Sequence, residues 1–182
     1  MRIVAGAWRG KTLTAPPGNA TRPTADRVRQ ALFDMLLHAP WGGRDTIEEA
    51  VVLDVFAGTG AFGLEALSRG ARHAIFIEQD RAALVALRAN IVACRAAERC
   101  TVLPIDALAT PAGEAATLIF LDPPYARDLV PRAMSRLRSA GRVAPDALVV
   151  AETGREEVVQ EVGALAERVH GAARVTIWRE LP

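Results

Sequence analysis

The sequence predicts a doubly wound α/β fold, a mixed sheet of seven strands with helices on both faces, preceded by an N-terminal β-hairpin and helix extension. Three observations predict it. From Val51 onward, apolar runs of strand length alternate with stretches whose apolar residues recur every three or four positions, the pattern of buried parallel strands joined by helices. The turn after the first of these strands is rich in glycine, as a tight passage from strand to helix requires. The chain closes on two further strand-like runs joined at Gly171, which read as a hairpin.

Taken in order, Arg2 to Thr14 reads as a hairpin around Gly6, Trp8 and Gly10, and Pro16, Pro17 and Gly18 as a linker. Thr24 is placed to cap a helix that carries Val28, Ala31, Leu32, Met35 and Leu36 along one side and Asp26 in its first turn. Pro40 to Gly43 ends that helix. The expected division is therefore 1–44 for hairpin, linker and basic helix and 45–182 for the core, the two packed as one compact domain. Strands are expected at Val51 to Phe56, Ala74 to Glu78, Thr101 to Ile105, Thr117 to Leu121, Ala147 to Ala151, Ala166 to His170 and Arg174 to Arg179. Helices are expected from Phe62 to Arg69, from a cap at Asp80 through Leu84, Leu87, Ile91 and Cys94, and from about Asp128 to Ala140. Right-handed crossovers would join the parallel strands.

A chain of 182 residues, 51% hydrophobic and 24% charged, can bury a core of its own, which sets aside disordered, collagenous and coiled-coil classes. No stretch approaches the roughly 18 uninterrupted apolar residues of a membrane span, and no apolar run follows a basic start, so a cytoplasmic protein away from membranes is expected. Cys94 and Cys100 are too few for a disulfide framework. His38, His73 and His170 lack the close spacing of a metal site, so no metal is expected. The net charge of +1 conceals a basic N-terminal quarter, because residues 1–44 carry seven Arg or Lys against two Asp. That composition suits a polyanionic partner, and equally a plain solvated face.

The glycine turn reads Gly58-x-Gly60-x-x-Gly63, and its glycines let the backbone pass closely over a ligand at a helix N-terminus. Phe56 leads into it. Glu78, at the end of the second strand, stands where a carboxylate accepts hydrogen bonds from two ribose hydroxyls. An adenosine-type cofactor follows, but this fingerprint alone would serve NAD or S-adenosylmethionine. Asp54 separates them: an acid so near the turn would repel a pyrophosphate, whereas the ammonium of a methionyl tail would welcome it. Asp106, just past the third strand, is placed to accept from an adenine amino group, and capping the next helical turn accounts for it equally well.

After the fourth strand comes Asp122-Pro123-Pro124-Tyr125, at the sheet edge where open α/β folds place ligands. Two prolines stiffen the loop and remove two N–H donors, leaving acceptors beside the Asp122 carboxylate. An exocyclic amine on a base is a poor nucleophile because its lone pair is delocalised into the ring. Asp122 and the Pro123 carbonyl, each accepting one N–H, would localise that pair toward a methyl donor. Tyr125 would stack on a base that is unpaired or rotated out of its helix. No nucleophilic cysteine lies in a comparable loop, which argues against methylation of a ring carbon through a covalent adduct.

With these residues in view, the chain resembles the RsmD family of bacterial ribosomal RNA guanine-N2 methyltransferases over nearly its whole length. The matching parts are Arg2-Ile3-Val4-Ala5-Gly6, Trp8-Arg9-Gly10, Thr21-Arg22-Pro23-Thr24, Asp26-Arg27-Val28-Arg29, the glycine turn and Asp122-Pro123-Pro124-Tyr125. The resemblance implies a Rossmann-like S-adenosylmethionine methyltransferase fold, guanine as target, ribosomal RNA as substrate and a partly assembled small subunit as partner. It also implies that the segment from Thr21 to Arg29 lies beside cofactor and base, so Arg22, Thr24, Arg27 and Arg29 are expected to meet the substrate. One departure is His170, which stands before Gly171 where an aromatic residue is expected. The alternatives are a DNA adenine amino-methyltransferase, a NAD-dependent oxidoreductase, and a catalytically inactive RNA-binding assembly factor.

Overall fold

The structure, a computed structural model, describes residues 1–16, 23–124, 128–159 and 163–181, without the side chains of residues 23–25. Seven strands, β1 (Val51–Val55), β2 (His73–Ile77), β3 (Cys100–Leu103), β4 (Ala116–Leu121), β5 (Val143–Gly154), β6 (Ala164–His170) and β7 (Ala173–Arg179), form one sheet in the order β3-β2-β1-β4-β5-β7-β6. The first five are parallel; β7 runs antiparallel to β5, and β6 antiparallel to β7. The strand order reverses beside β1, so the carboxyl ends of β1 and β4 flank a crevice open to ligands.

Side-chain alternation along the strands builds two apolar layers. On one face Val52, Phe76, Leu118, Phe120 and Val150 pack against α1 (Pro23–His38), α2 (Ala61–Ser68) and α3 (Arg81–Ala93). On the other, Val55, Ile77, Ile119, Val149 and Trp178 pack against Val130, Met134 and Leu137 of α4 (Leu129–Ser139). Helices on both faces were expected, and this arrangement supplies them. Phe120 is the pivot of the first layer, 5.0 Å from the stacked ring of Phe62 and 5.6 Å from Phe33 of α1.

Boundaries differ from the expected ones where tertiary pairing overrides local pattern. β5 extends from Val143 to Gly154 rather than stopping at Ala151, because β7 pairs with it from Leu148 through Gly154. The N-terminal hairpin is thin, a single Arg2–Thr12 bridge with a 3-10 turn at Gly6–Trp8, and lies outside the sheet. Thr24 does not cap α1. The helix already begins at Pro23, whose fixed φ and missing N–H suit a first helical position.

What holds the extension to the core is a buried carboxylate. Glu65 of α2 is fully inaccessible, and its oxygens accept from Val4 N–H at 2.8 Å, Ala5 N–H at 3.0 Å and Arg69 Nε at 2.8 Å. Arg29 Nε lies 3.6 Å away on the other side. This corrects the expectation for Arg29: it is 2% exposed, and its guanidinium is taken by Glu65, by Asp26 at 3.0 Å and by the Arg2 carbonyl. It fastens α1 to α2 and does not face a ligand. Arg27, by contrast, is exposed.

Breaking a buried pair on one side strands the remaining charge. Arg29→Ala is therefore expected to lower unfolding free energy by about 3 kcal/mol in urea titration, and Arg27→Ala to change it by less than about 0.5 kcal/mol. Equal effects would contradict the assigned roles.

Candidate functional site

The turn between β1 and α2 is shaped by residues on both sides of it. Phe56 sits at φ 64, a left-handed conformation that a non-glycine residue adopts at a cost, and it turns the chain out of the sheet toward the crevice. Gly60, at φ 76, opens α2, and Ala57 N–H donates to Ile77 O at 3.0 Å to hold the turn against β2. The three glycines do different work. Around Gly58 nothing would meet an added Cβ closer than 4.0 Å, which leaves the turn open for a ligand. At Gly60 a Cβ would fall 2.4 Å from Leu87, and at Gly63 2.4 Å from Phe76, so these two are required by packing of helix on sheet.

Asp54 lies at the end of β1, 2% exposed, with Oδ2 accepting Gly63 N–H at 2.9 Å. Burial pushes its carboxyl pKa up to about 8; the Gly63 N–H opposes this and the charges of Asp122 and Glu78 add to it. In this geometry Asp54 sits behind the turn and pins α2 to it, the turn role that the sequence left open beside the ammonium role. Glu78 joins the glycine turn to the start of α3. Its Oε2 accepts Gly58 N–H at 2.8 Å, and its Oε1 accepts Gln79 N–H at 2.8 Å and Asp80 N–H at 2.7 Å. Asp106 caps a 3-10 turn by accepting Leu108 N–H at 2.9 Å, and it also borders the crevice.

The crevice is a cavity of about 780 Å³ over the carboxyl ends of the parallel strands. Phe56, Glu78 and Asp106 line one part of it, and Asp122, Pro123 and Pro124 another. Phe56, which leads into the glycine turn, and Glu78 therefore share one cavity with the Asp122-Pro123-Pro124 segment, although far apart in the chain. Asp54, Gly58, Gly60 and Gly63 are not among the residues that line it. Asp122 is open to solvent at the mouth yet crowded by protein below. Desolvation first, and then the negative charge of Glu152, raise its carboxyl pKa. Arg22 and Tyr125 lie outside the described residues, as does the side chain of Thr24.

Several contributors were not named from sequence. Ile105, Leu108 and Ala83 give the cavity an apolar wall suited to a flat heterocycle. Their signal was positional, since each follows the end of a parallel strand, where such folds place their ligands. Asn90 of α3 is the other. Its Nδ2 donates to Thr59 O at 2.9 Å and Thr14 O at 3.0 Å, and its Oδ1 accepts Thr14 N–H at 2.7 Å. One amide thus holds the glycine turn and the end of the hairpin together. Among the described residues no group of three or more His, Cys, Asp or Glu is gathered as a metal ion would need, and no helix is long and apolar enough to cross a membrane.

The family model described as conserved hypothetical protein 95 matches residues 1–179. The chain is 39% identical over 166 residues to ribosomal RNA small subunit methyltransferase D of Escherichia coli, across 90% of this chain and 80% of that one. It is 35% identical over 162 residues to the protein of the same name from Haemophilus influenzae, across 86% and 80% of the two chains. Among solved structures, yhhF of Escherichia coli has a TM-score of 0.85 at 35% identity, covering 100% of this chain and 98% of that one. The fold alone is shared with an RNA methyltransferase of Salinibacter ruber solved with S-adenosyl-L-homocysteine, at a TM-score of 0.61 and 19% identity over 90% and 97% of the chains. With its sheet order, its cavity and its match over nearly every residue, the chain belongs to the conserved hypothetical protein 95 family, the RsmD family, and has the Rossmann-like methyltransferase fold.

Proposed function

We propose that the protein transfers a methyl group from S-adenosylmethionine to the exocyclic N2 amine of a guanine in small-subunit ribosomal RNA, acting in the cytoplasm on a partly assembled subunit. The observation that carries this reading is the shared cavity. A stiff Asp122-Pro123-Pro124 loop stands on the same hollow as Glu78 and Phe56, the residue that leads into the glycine turn.

The cavity fits the cofactor in size and in donor chemistry. Glu78 spends three acceptor sites on backbone N–H groups and, with about four lone-pair positions on a carboxylate, keeps one on Oε2 for a ribose hydroxyl. Asp106, occupied through one oxygen, would take the adenine amine beside the apolar wall of Ile105 and Leu108. Asp54 would meet the methionyl ammonium directly or through water, and Phe56 and Gly58 would border the tail. Bound there, S-adenosylmethionine supplies an electrophilic methyl carbon on a sulfonium and departs as the neutral thioether S-adenosylhomocysteine.

The protein's part is to prepare the amine. Asp122 and the Pro123 carbonyl accept its two N–H groups, which turns the nitrogen lone pair out of conjugation with the ring and toward the methyl carbon. Pro124 holds the loop rigid, and Tyr125 stacks on the everted base. When the new N–C bond has formed, the nitrogen gives up one proton, and a carboxyl group whose pKa is raised, as at Asp122, is suited to receive it. On the RNA side, Arg22, Thr24 and Arg27 would meet phosphates. Arg29 is withdrawn from that set by its burial. So small a basic extension recognises little RNA sequence by itself, which supports a ribonucleoprotein substrate.

Asp122→Ala is expected to lower methyl transfer by at least about 1,000-fold while calorimetry still records S-adenosylmethionine binding. Undiminished turnover would remove Asp122 from the mechanism. Because the acceptor must be ionised, wild-type kcat/KM should rise with pH through a midpoint above the ordinary carboxylate range, as the raised pKa of Asp122 dictates. Asp54 gives a second pH signature. Its pKa goes from 3.8 to about 8 on folding, so the native state holds a proton that the unfolded chain releases, and this group's contribution to stability falls as pH rises between those values. Asp54→Asn keeps an acceptor for Gly63 N–H. Its melting temperature should decline less between about pH 5 and 8 than that of wild type, and its affinity for S-adenosylmethionine should drop at least about tenfold.

A further inference from the structure

A second carboxylate stands beside Asp122. Phe120 pairs with Val150 and Leu121 with Ala151 in the β4–β5 ladder, so the next step along both strands brings Asp122 alongside Glu152. Period-2 alternation puts both on the face of Phe120 and Val150, the face covered by α1 and α2. Both line one small hollow with Val28 and Leu32 of α1, Phe62 of α2 and Val175 of β7. The hollow holds only about 10 Å³, far less than a purine, so what it offers a base is its acidic edge. Glu152 is half-buried there.

The chemistry of base edges gives this pair a meaning. Guanine presents N1–H directly beside its N2 amine, two neighbouring donors. Adenine and cytosine present a bare ring nitrogen, an acceptor, beside theirs. Two adjacent carboxylates complement the first edge and repel the others, whose ring lone pair would face a negative oxygen.

Resting on the amine-methylation reading above, we propose that Glu152 selects guanine: its carboxylate accepts N1–H while Asp122 accepts from the N2 amine. Asp122 alone would suit any amino base. Glu152 supplies the discrimination, and Val28 and Leu32 of α1 wall the hollow that both acids line.

The test uses 2-aminopurine, which keeps the N2 amine but has a bare N1. Full-length protein, S-adenosylmethionine and small-subunit particles reconstituted with guanine or 2-aminopurine at the methylated position give two values of kcat/KM. Wild type is expected to prefer guanine by at least about tenfold, as sites built to bind an N–H reject the analogue lacking it. Glu152→Gln, whose amide can also donate to a bare N1, should narrow that preference by about tenfold, with S-adenosylmethionine affinity and melting temperature unchanged. Wild type that methylates both bases equally would overturn the role of Glu152, even if the variant failed to fold. So would a variant that keeps the wild-type preference. Absence of any guanine methylation by wild type is a separate result, and it would remove the underlying reading together with this one.

Discussion

The architecture depends on one buried acid. Glu65 lies in a helix that is otherwise almost wholly apolar, and a carboxylate so placed is tolerable only if every oxygen lone pair is answered. Two backbone N–H groups from the hairpin and Arg69 hydrogen-bond to it, and Arg29 adds an ion pair at 3.6 Å. The consequence is positional. The hairpin cannot leave α2, Arg29 cannot leave Glu65, and α1 is held across the face on which Phe120, Asp122 and Glu152 lie. Arg69 adds a cation over the Phe33 ring at 4.7 Å, which ties the same cluster to the aromatic pivot.

Much of this was legible from residues alone, and the legible part follows a rule. Parallel strands buried on both faces must be continuously apolar, so β1, β2 and β4 were visible to within a residue or two. Asp80 was visible as a cap and is one, accepting Ala83 N–H at 2.8 Å. What escaped depended on partners distant in sequence. Arg29 has the same local neighbourhood as Arg27, and nothing in a four-residue stretch tells which of them meets Glu65. A signal did exist on the other side of the pair: an acid inside Ala61–Ser68, a helix apolar on every face, has to be buried and so needs cations. The roles of Gly60 and Gly63 were hidden likewise, since Leu87 and Phe76 impose them from α3 and β2. Glu152 sits past the expected end of its strand, and its meaning appears only once β4 and β5 are in register.

Acids gather toward the carboxyl edge of the sheet, with Asp54 and Glu152 in the last residues of their strands and Glu78, Asp106 and Asp122 just beyond theirs. Burial first, and the charges of neighbouring acids second, raise the pKa values of Asp54 and Asp122. A sulfonium nucleoside brings two positive charges, ammonium and sulfonium, into the same region. On the proposed reading the cofactor would offset this concentration of acids, while the basic residues that would hold RNA are kept apart on the extension.

Asn90 joins those two territories mechanically. Its amide hangs the end of the hairpin and the Thr59 carbonyl of the glycine turn from a single point on α3. The extension therefore cannot swing outward without breaking the hydrogen bonds of an amide that also holds the glycine turn. On the function proposed above, grip on the RNA and loading of the methyl donor would be two ends of one lever, with its fulcrum in the Asn90 side chain.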